Sequence, residues 1–168
     1  MKLKNLTRIS VLACVSLIIF VLESQIPPLV PIAGVKLGLA NVVVLYAMTT
    51  IDIKAGFFVL LAKVLLGNLF AGTAVSMFYS LMGGALCFVA QWLMMKVADE
   101  KQLWAVSVVG AVFHNIGQVV AAVILTGTEK IVWYLMILVP VGIITGAFVG
   151  IVVTYTKKAI ENVSFKRE

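Results

Sequence analysis

Long apolar stretches constrain this chain more than any other feature of its sequence. Charges, prolines and glycines separate six of them, at residues 8–25, 36–51, 55–67, 73–97, 103–126 and 132–156. A helix needs about 20 apolar residues to cross the hydrocarbon core of a bilayer. The first, fourth, fifth and sixth stretches meet that length. The second and third are short, which fits tilted, partial or buried helices.

Composition points to the same class of protein. Of the 168 residues, 62% are hydrophobic and only 12% are charged, whereas a soluble domain has roughly 25% charged residues. A chain with so little polar surface cannot cover itself in water. We therefore predict an all-α integral membrane protein, a bundle of about six transmembrane helices that forms one domain over residues 1–168.

The basic residues predict how this bundle is oriented. Lys36 and Lys130 fall on one side of a six-span arrangement, and Lys63 falls inside a span. Cytoplasmic loops carry an excess of lysine and arginine, so we expect both termini in the cytoplasm. Because these charges lie at helix ends rather than along one helix face, we expect no nucleic-acid partner. Ten of the thirteen basic residues share the cytoplasmic side: Lys2, Lys4, Arg8, Lys54, Lys96, Lys101, Lys157, Lys158, Lys166 and Arg167.

Several polar residues lie inside the apolar stretches, where burial is costly and indicates function. Lys63 lies about eight residues into its span, roughly 12 Å deep at 1.5 Å per residue. His114, the single histidine, has Gln118 one turn away on the same face and Asn115 about 100° around the helix. We predict that they line a polar, ligand-binding cavity. The alternatives are interhelical hydrogen bonds and, for Lys63, a side chain that snorkels to the membrane surface.

The segment 25–35, QIPPLVPIAGV, holds three of the four prolines and cannot be helical throughout. We expect it to lie over the outer face as a lid. Glu23 and Lys36 flank it and either pair with each other or act separately, with Lys36 opening the second span. In the second case Lys36 and the free N–H groups of that helix would form an anion site. Asn41, further along that helix, and Asn68, in the predicted connection 67–73, complete the candidate binding residues.

Small residues recur every four positions in several stretches, which places them on one helix face and lets helices approach closely. Gly142, Gly146 and Gly150 do so in the last stretch, and Gly83 and Gly84 belong to a similar series in the fourth. We expect packing within the chain, with a partner-binding face as the alternative. The first stretch holds a weaker series that we assign to partner docking: Ser10, Ala13, Cys14 and Leu17.

Motifs that would support catalysis are missing from the sequence. It contains no GxxxxGK[ST], HExxH or CxxC run, and no clustered aspartates of the kind that hold Mg²⁺ and diphosphate in prenyl-transferring synthases. We therefore predict no catalytic residues, no metal and no cofactor, and we do not expect the chain to be an enzyme by itself. Cys14 and Cys87 lie in apolar runs, and we expect both to be buried.

Four runs resemble one bacterial family: LESQIPPLVPIAGVKLGLAN (22–41), SLMGGAL (80–86), GAVFHNIGQ (110–118) and PVGIITGAFVG (140–150). They are similar to the Gx transporter family, also labelled heptaprenyl diphosphate synthase component I, over nearly the whole chain. The resemblance implies a multi-pass protein of the bacterial cytoplasmic membrane. It also implies a relationship to the substrate-binding S-components of energy-coupling factor transporters.

Such S-components bind a scarce solute near the outer face and dock on a transmembrane scaffold with two ATPases. Docking commonly uses an AxxxA pattern in the first helix, from which Ser10-xxx-Cys14 and Ala13-xxx-Leu17 depart. The resemblance suggests an isoprenoid, quinone-precursor or flavin-like ligand. Two other functions stay open, namely a membrane accessory that binds a soluble prenyl diphosphate synthase, and a proton-coupled carrier that uses His114 and Glu23.

Overall fold

Helices make up almost all of the chain that is described in the computed structural model, residues 3–27 and 36–165. Short 3₁₀ turns at Glu100–Gln102 and Glu129–Tyr134 precede the last two helices. No strand occurs in these two ranges, so the predicted all-α class is confirmed. The helices are α1 (Leu3–Ser24), α2 (Asn41–Thr50), α3 (Ile53–Ala71), α4 (Ala74–Met94), α5 (Leu103–Thr126) and α6 (Leu135–Phe165).

Five of the described helices are long and apolar enough to cross a membrane, and α2 is the exception. α2 has 10 residues, so it spans about 15 Å, half of a hydrocarbon core. The helices also leave large apolar side chains exposed, among them Ile18 and Leu22 on α1 and Ile144 on α6. The prediction of a multi-pass membrane bundle is thus confirmed.

α2 begins later than the sequence predicted. The second apolar stretch was expected to be helical from residue 36, but residues 36–40 are not helical and α2 begins at Asn41. Gly38 adopts a φ of +80°, a left-handed conformation that glycine reaches without a Cβ clash and that interrupts a right-handed helix. Lys36 therefore does not open a helix, and that prediction is wrong.

The connection between α3 and α4 is shorter than the predicted 67–73. α3 continues to Ala71, which leaves only Gly72 and Thr73 between the two helices. The Thr73 hydroxyl accepts a hydrogen bond from the Ser76 backbone N–H at 3.1 Å, the usual N-cap arrangement of threonine. Asn68 therefore lies in the last turns of α3 and not in a loop. The fifth stretch, in contrast, coincides with α5.

Close backbone contact joins α5 to both of its neighbours. A Cβ built on Gly150 of α6 would lie 2.4 Å from the Cα of Trp104, and one on Gly146 would lie 2.7 Å from the Cα of Val108. On the other side of α5, a Cβ on Gly117 would lie 2.7 Å from the Met82 carbonyl oxygen of α4. Side chains at these glycines would force the helices apart.

The two ends of the bundle differ in charge. α1, α3 and α5 begin, and α2, α4 and α6 end, at the end that we call the basic end. Residues at or near it include Lys4, Arg8, Lys54, Lys101 and Lys158. We call the other end, which holds the connection between α1 and α2, the loop end. The proline-rich residues 28–35, and also Lys2, Lys166 and Arg167, lie outside the described residues, so the predicted lid stays a prediction.

Candidate functional site

Buried polar side chains from four helices converge around the non-helical residues 36–40. Non-helical backbone at membrane depth is tolerated only where protein or an aqueous cavity surrounds it. Here neighbouring helices surround it, and their polar side chains supply hydrogen-bond partners. We call this group the buried polar cluster, and it consists of Glu23, Lys36, Asn41, Lys63, His114 and Gln118.

Glu23, in the last turn of α1, points its carboxylate at the turn that leads into α2. Its two oxygens accept hydrogen bonds from the backbone N–H groups of Gly38 and of Ala40, the latter at 3.3 Å. A carboxylate beside the first N–H groups of a helix is stabilised by hydrogen bonding and by the helix dipole. Glu23 therefore satisfies two backbone donors of the turn before α2, and the anion site at the helix terminus stays a prediction.

Lys36 interacts electrostatically with Glu23, with which pairing was one of the two alternatives, and it makes two further contacts. Its backbone N–H donates to Gln118 Oε1 at 3.3 Å, and its Nζ lies 3.5 Å from the centre of the Phe20 ring. This Nζ is buried and has no hydrogen-bond acceptor. A cation over an aromatic face gains an electrostatic attraction, but that contact leaves all three ammonium hydrogens without an acceptor.

A chain of side-chain contacts crosses the bundle from α3 to α5. Lys63 Nζ donates to Asn41 Oδ1 at 2.5 Å, and Asn41 Nδ2 lies 3.4 Å from His114 Nδ1. On the other side of the ring, Gln118 Nε2 lies 3.0 Å from His114 Nε2. Gln118 Oε1 accepts a hydrogen bond from the Lys36 backbone N–H, so Gln118 Nε2 is the group that donates to His114 Nε2. Nδ1 then carries the hydrogen, for which the Gly83 backbone is an acceptor.

Two glycines leave room for the histidine ring. A Cβ on Gly38 would lie 2.8 Å from His114 Cδ2, and a Cβ on Gly83 would lie 2.9 Å from His114 Cε1. The ring is therefore clamped between the turn before α2 and the middle of α4. Any side chain at either position would displace His114 or the backbone that faces it.

Asn68 and Asn115 are buried but lie outside the buried polar cluster. Asn68 donates to the Val64 carbonyl at 2.8 Å and accepts from the Ser76 hydroxyl at 2.9 Å. Asn115 donates to the Leu138 carbonyl of α6 at 2.6 Å. Both amides stabilise contacts between neighbouring helices. These two predicted binding residues therefore make no hydrogen bond to a member of the buried polar cluster.

Two residues of α1 that contact residues 36–40 were missed at the sequence level. Ser16 is fully buried and its hydroxyl donates to the Ala40 carbonyl at 3.2 Å, while Phe20 contacts both Lys36 and Gly67. Together with Glu23 they occupy positions i, i+4 and i+7, one face of α1. That spacing was present in the sequence and marks the face of α1 that packs inward. Gln91 and Ser107, also buried, were missed as well.

The residues predicted to dock a partner lie on or beside the outward face of α1. Ser10 and Cys14 are exposed, whereas Ala13 and Leu17 are partly covered. The expectation that Cys14 is buried is wrong, because its position on the helix turns it away from the neighbouring helices. Cys87 is buried as expected.

The buried polar cluster consists of two amides, one imidazole, two lysines and one carboxylate, all of which form hydrogen bonds or charge contacts. Among the described residues, no group of three or more His, Cys, Asp or Glu side chains is placed to hold a metal ion. With this tautomer the His114 ring accepts from the Gln118 side-chain amide and donates to the Gly83 backbone, and neither partner is a nucleophile. A cavity beside Gly38 and Asn41 measures about 10 Å³, about the minimum for one water molecule.

Comparison with models of protein families identifies the family to which the chain belongs. A model described as "heptaprenyl diphosphate synthase component I" matches residues 12–156, which include all six members of the buried polar cluster. The chain belongs to this family. No curated protein and no solved structure matches it. The family description names a component of a synthase, and it is compatible with the absence of an aspartate cluster from the sequence.

Proposed function

We propose that this chain is a membrane subunit that binds a small anionic or amphipathic solute between the buried polar cluster and the segment 25–40. The observation that carries the proposal is the charge of the cluster. Lys36 and Lys63 contribute two cations and Glu23 contributes one anion. Buried charges are costly unless they are paired, and an anionic group on the ligand would balance the surplus cation.

Lys36 is the residue most suited to meet that ligand. Its buried Nζ lacks a hydrogen-bond acceptor, whereas Lys63 already donates to Asn41 and Glu23 already accepts from two backbone N–H groups. An anion next to Lys36 would supply charge-assisted hydrogen bonds, which are about twice as strong as neutral ones. The isoprenoid, quinone-precursor and flavin compounds suggested by the resemblance include anionic members.

Entry would involve residues 36–40 and the proline-rich lid predicted over 25–35. Residues 36–40 are joined to the helices by hydrogen bonds with Ser16, Glu23 and Gln118 and by the contact of Lys36 with Phe20. Withdrawal of this segment would expose Asn41, His114 and Gln118 to the loop end. Uptake of the solute would then need a transmembrane scaffold and ATPase partners, in the manner of an S-component, and α1 would offer its outward face to them.

Ligand-dependent thermal stabilisation tests this function. Purified protein would be heated with FMN, with geranylgeranyl diphosphate or with 1,4-dihydroxy-2-naphthoate. A ligand at 100 times its Kd adds about 2.7 kcal/mol to the free energy of unfolding, which gives a measurable rise in Tm. We expect at least one compound to stabilise the wild type and not Lys36→Gln. Lys130→Gln, an exposed lysine at the loop end, is the matched control and should keep the response.

The proposal fails if none of the compounds changes the Tm, or if Lys36→Gln responds as strongly as the wild type does. The basal Tm of Lys36→Gln is expected to stay close to that of the wild type, because its Nζ makes no hydrogen bond. A changed ligand response would therefore report on binding and not on folding.

A second candidate function rests on the family description. The chain would hold a soluble prenyl diphosphate synthase at the bacterial cytoplasmic membrane, where the apolar product belongs, without taking part in catalysis. Co-purification with an aspartate-rich synthase, together with a changed rate or product length of that enzyme, would support it. A synthase that neither co-purifies nor changes its activity would exclude it.

A further inference from the structure

A second cavity lies at the basic end, far along the bundle from the buried polar cluster. It measures about 770 Å³ and is formed by the first turns of α1, the end of α2 and the late turns of α6. We call it the basic-end groove. Its lining changes character along α1, from Lys4 and Arg8 to Val11 and Leu12. None of the described residues that line it is acidic.

Positive charge is concentrated at the mouth of the groove. Lys4 and Arg8 are four residues apart on α1, so they share a helix face and stand one turn from each other. Lys157 of α6 lines the same groove. Asp52, two residues after the end of α2, has a carboxylate that accepts the Ala55 N–H at 2.6 Å.

The apolar part of the groove lies at the depth of lipid chains. Leu12 is eight residues beyond Lys4 on α1, so about 12 Å deeper at 1.5 Å per residue. One half of a hydrocarbon core is about 15 Å thick. Val11 is 57% exposed, so the groove opens sideways. An occupant that enters from the bilayer would meet cations at one end and apolar side chains at the other.

The three threonine hydroxyls along the groove bond to backbone carbonyls of their own helices. Thr7 donates to the Leu3 carbonyl, and Thr50 donates to the Tyr46 carbonyl at 2.7 Å. Thr49 likewise bonds to the backbone of its own helix. The cationic side chains of Lys4 and Arg8 favour an occupant that carries an anionic group.

We propose that the basic-end groove binds an anionic phospholipid from the adjacent leaflet, with its phosphate at Lys4 and Arg8 and an acyl chain against Val11 and Leu12. Basic pockets between transmembrane helices recognise such headgroups, and each nearby lysine or arginine contributes to the attraction. Charge complementarity and the order of cationic and apolar lining along α1 both fit this class of occupant. The site is separate from the solute site proposed at the loop end.

Native mass spectrometry of delipidated protein tests the proposal. The protein would be titrated with phosphatidylglycerol and with phosphatidylcholine of the same acyl chains. We expect the wild type to prefer phosphatidylglycerol by at least about tenfold in Kd, and the Lys4→Gln/Arg8→Gln variant to lose most of that preference. The charge-preserving Lys4→Arg/Arg8→Lys variant should keep it.

A matched control removes two charges at the same end but outside the groove, Lys96→Gln/Lys101→Gln, and should bind phosphatidylglycerol as the wild type does. Equal loss in the control and in the Lys4→Gln/Arg8→Gln variant would overturn the proposal, since the preference would then reflect net charge. Displacement of phosphatidylglycerol by micromolar geranylgeranyl diphosphate or inorganic diphosphate would also overturn it, because the groove would then belong to a soluble diphosphate.

Discussion

At the scale of single residues, Glu23 decides how the chain enters α2. Its carboxylate is buried, and its oxygens accept the N–H groups of Gly38 and Ala40. Without it, the N–H groups of Gly38 and Ala40 would lose the side-chain acceptors that they have inside the bundle. One acidic side chain at the end of α1 thereby makes a broken helix possible at membrane depth.

Glu23→Gln tests this assignment. Glutamine keeps one oxygen but turns an N–H₂ group toward a backbone N–H, so one buried donor loses its acceptor. We expect the free energy of unfolding to fall by about 1–3 kcal/mol, measured as a lower Tm in detergent. Glu129→Gln, which changes an exposed glutamate, should leave the Tm unaltered. Equal Tm values for the two variants would contradict the role of Glu23 as the acceptor for the Gly38 and Ala40 N–H groups.

Gly38 matters both for its backbone conformation and for its distance from His114. Gly38→Ala would place a side chain in a left-handed residue and 2.8 Å from the His114 ring. We expect a loss of more than about 1 kcal/mol in the free energy of unfolding. Gly127→Ala is the matched control, because Gly127 has a φ of +66° but nothing within 4 Å.

The difference between those two alanine variants isolates the steric contact with His114. Adding His114→Ala to Gly38→Ala should recover part of the lost Tm, since the ring would no longer oppose the new methyl group. If Gly38→Ala and Gly127→Ala lower the Tm equally, the contact between Gly38 and His114 contributes nothing.

At the scale of helices, α5 is the element that organises the bundle. It supplies His114 and Gln118 to the cluster and Asn115 to the contact with α6, and it packs closely on α4 through Gly117 and on α6 through Gly146. Movement of α5 relative to its neighbours would therefore change the cluster and both helix interfaces together.

Gly150→Ala tests the interface between α5 and α6. The new methyl group would lie 2.4 Å from the Trp104 Cα, a backbone atom that cannot rotate away. Overpacking of this kind costs about 1–3 kcal/mol, so we expect a lower Tm. The control Ile144→Ala changes a side chain of α6 that is 70% exposed and should have little effect. An unchanged Tm for Gly150→Ala would show that the two helices can separate freely.

At the scale of the whole molecule, charge and helix count together predict the membrane orientation. Five described helices are long enough to cross a membrane, residues 36–50 return the chain to the basic end through the short α2, and basic residues gather at that end. With Cys14 and Cys87 replaced by serine, we expect a membrane-impermeant thiol reagent to label Lys130→Cys from outside intact cells. Lys101→Cys should react only after the cells are opened. Labelling of both from outside would contradict the orientation.

The sequence by itself determined the class of fold and most of the polar candidates. Hydropathy and helical periodicity depend on neighbouring residues, so the spans and the shared face of His114 and Gln118 could be predicted from local patterns. All six cluster members lie inside the predicted apolar stretches, where a polar residue is conspicuous.

Only the tertiary structure decided which of these residues meet. Lys36 and Gln118 are 82 positions apart in the chain, and Glu23 reaches Gly38 and Ala40 across a connection that carries no helical pattern. Local patterns do not encode such distances. They therefore could not show that Asn68 and Asn115 lie outside the cluster or that Cys14 faces outward. Nor could they show that α2 begins at Asn41, because the packing of helices around Gly38 selects its left-handed backbone and Glu23 satisfies the donors that the interruption exposes.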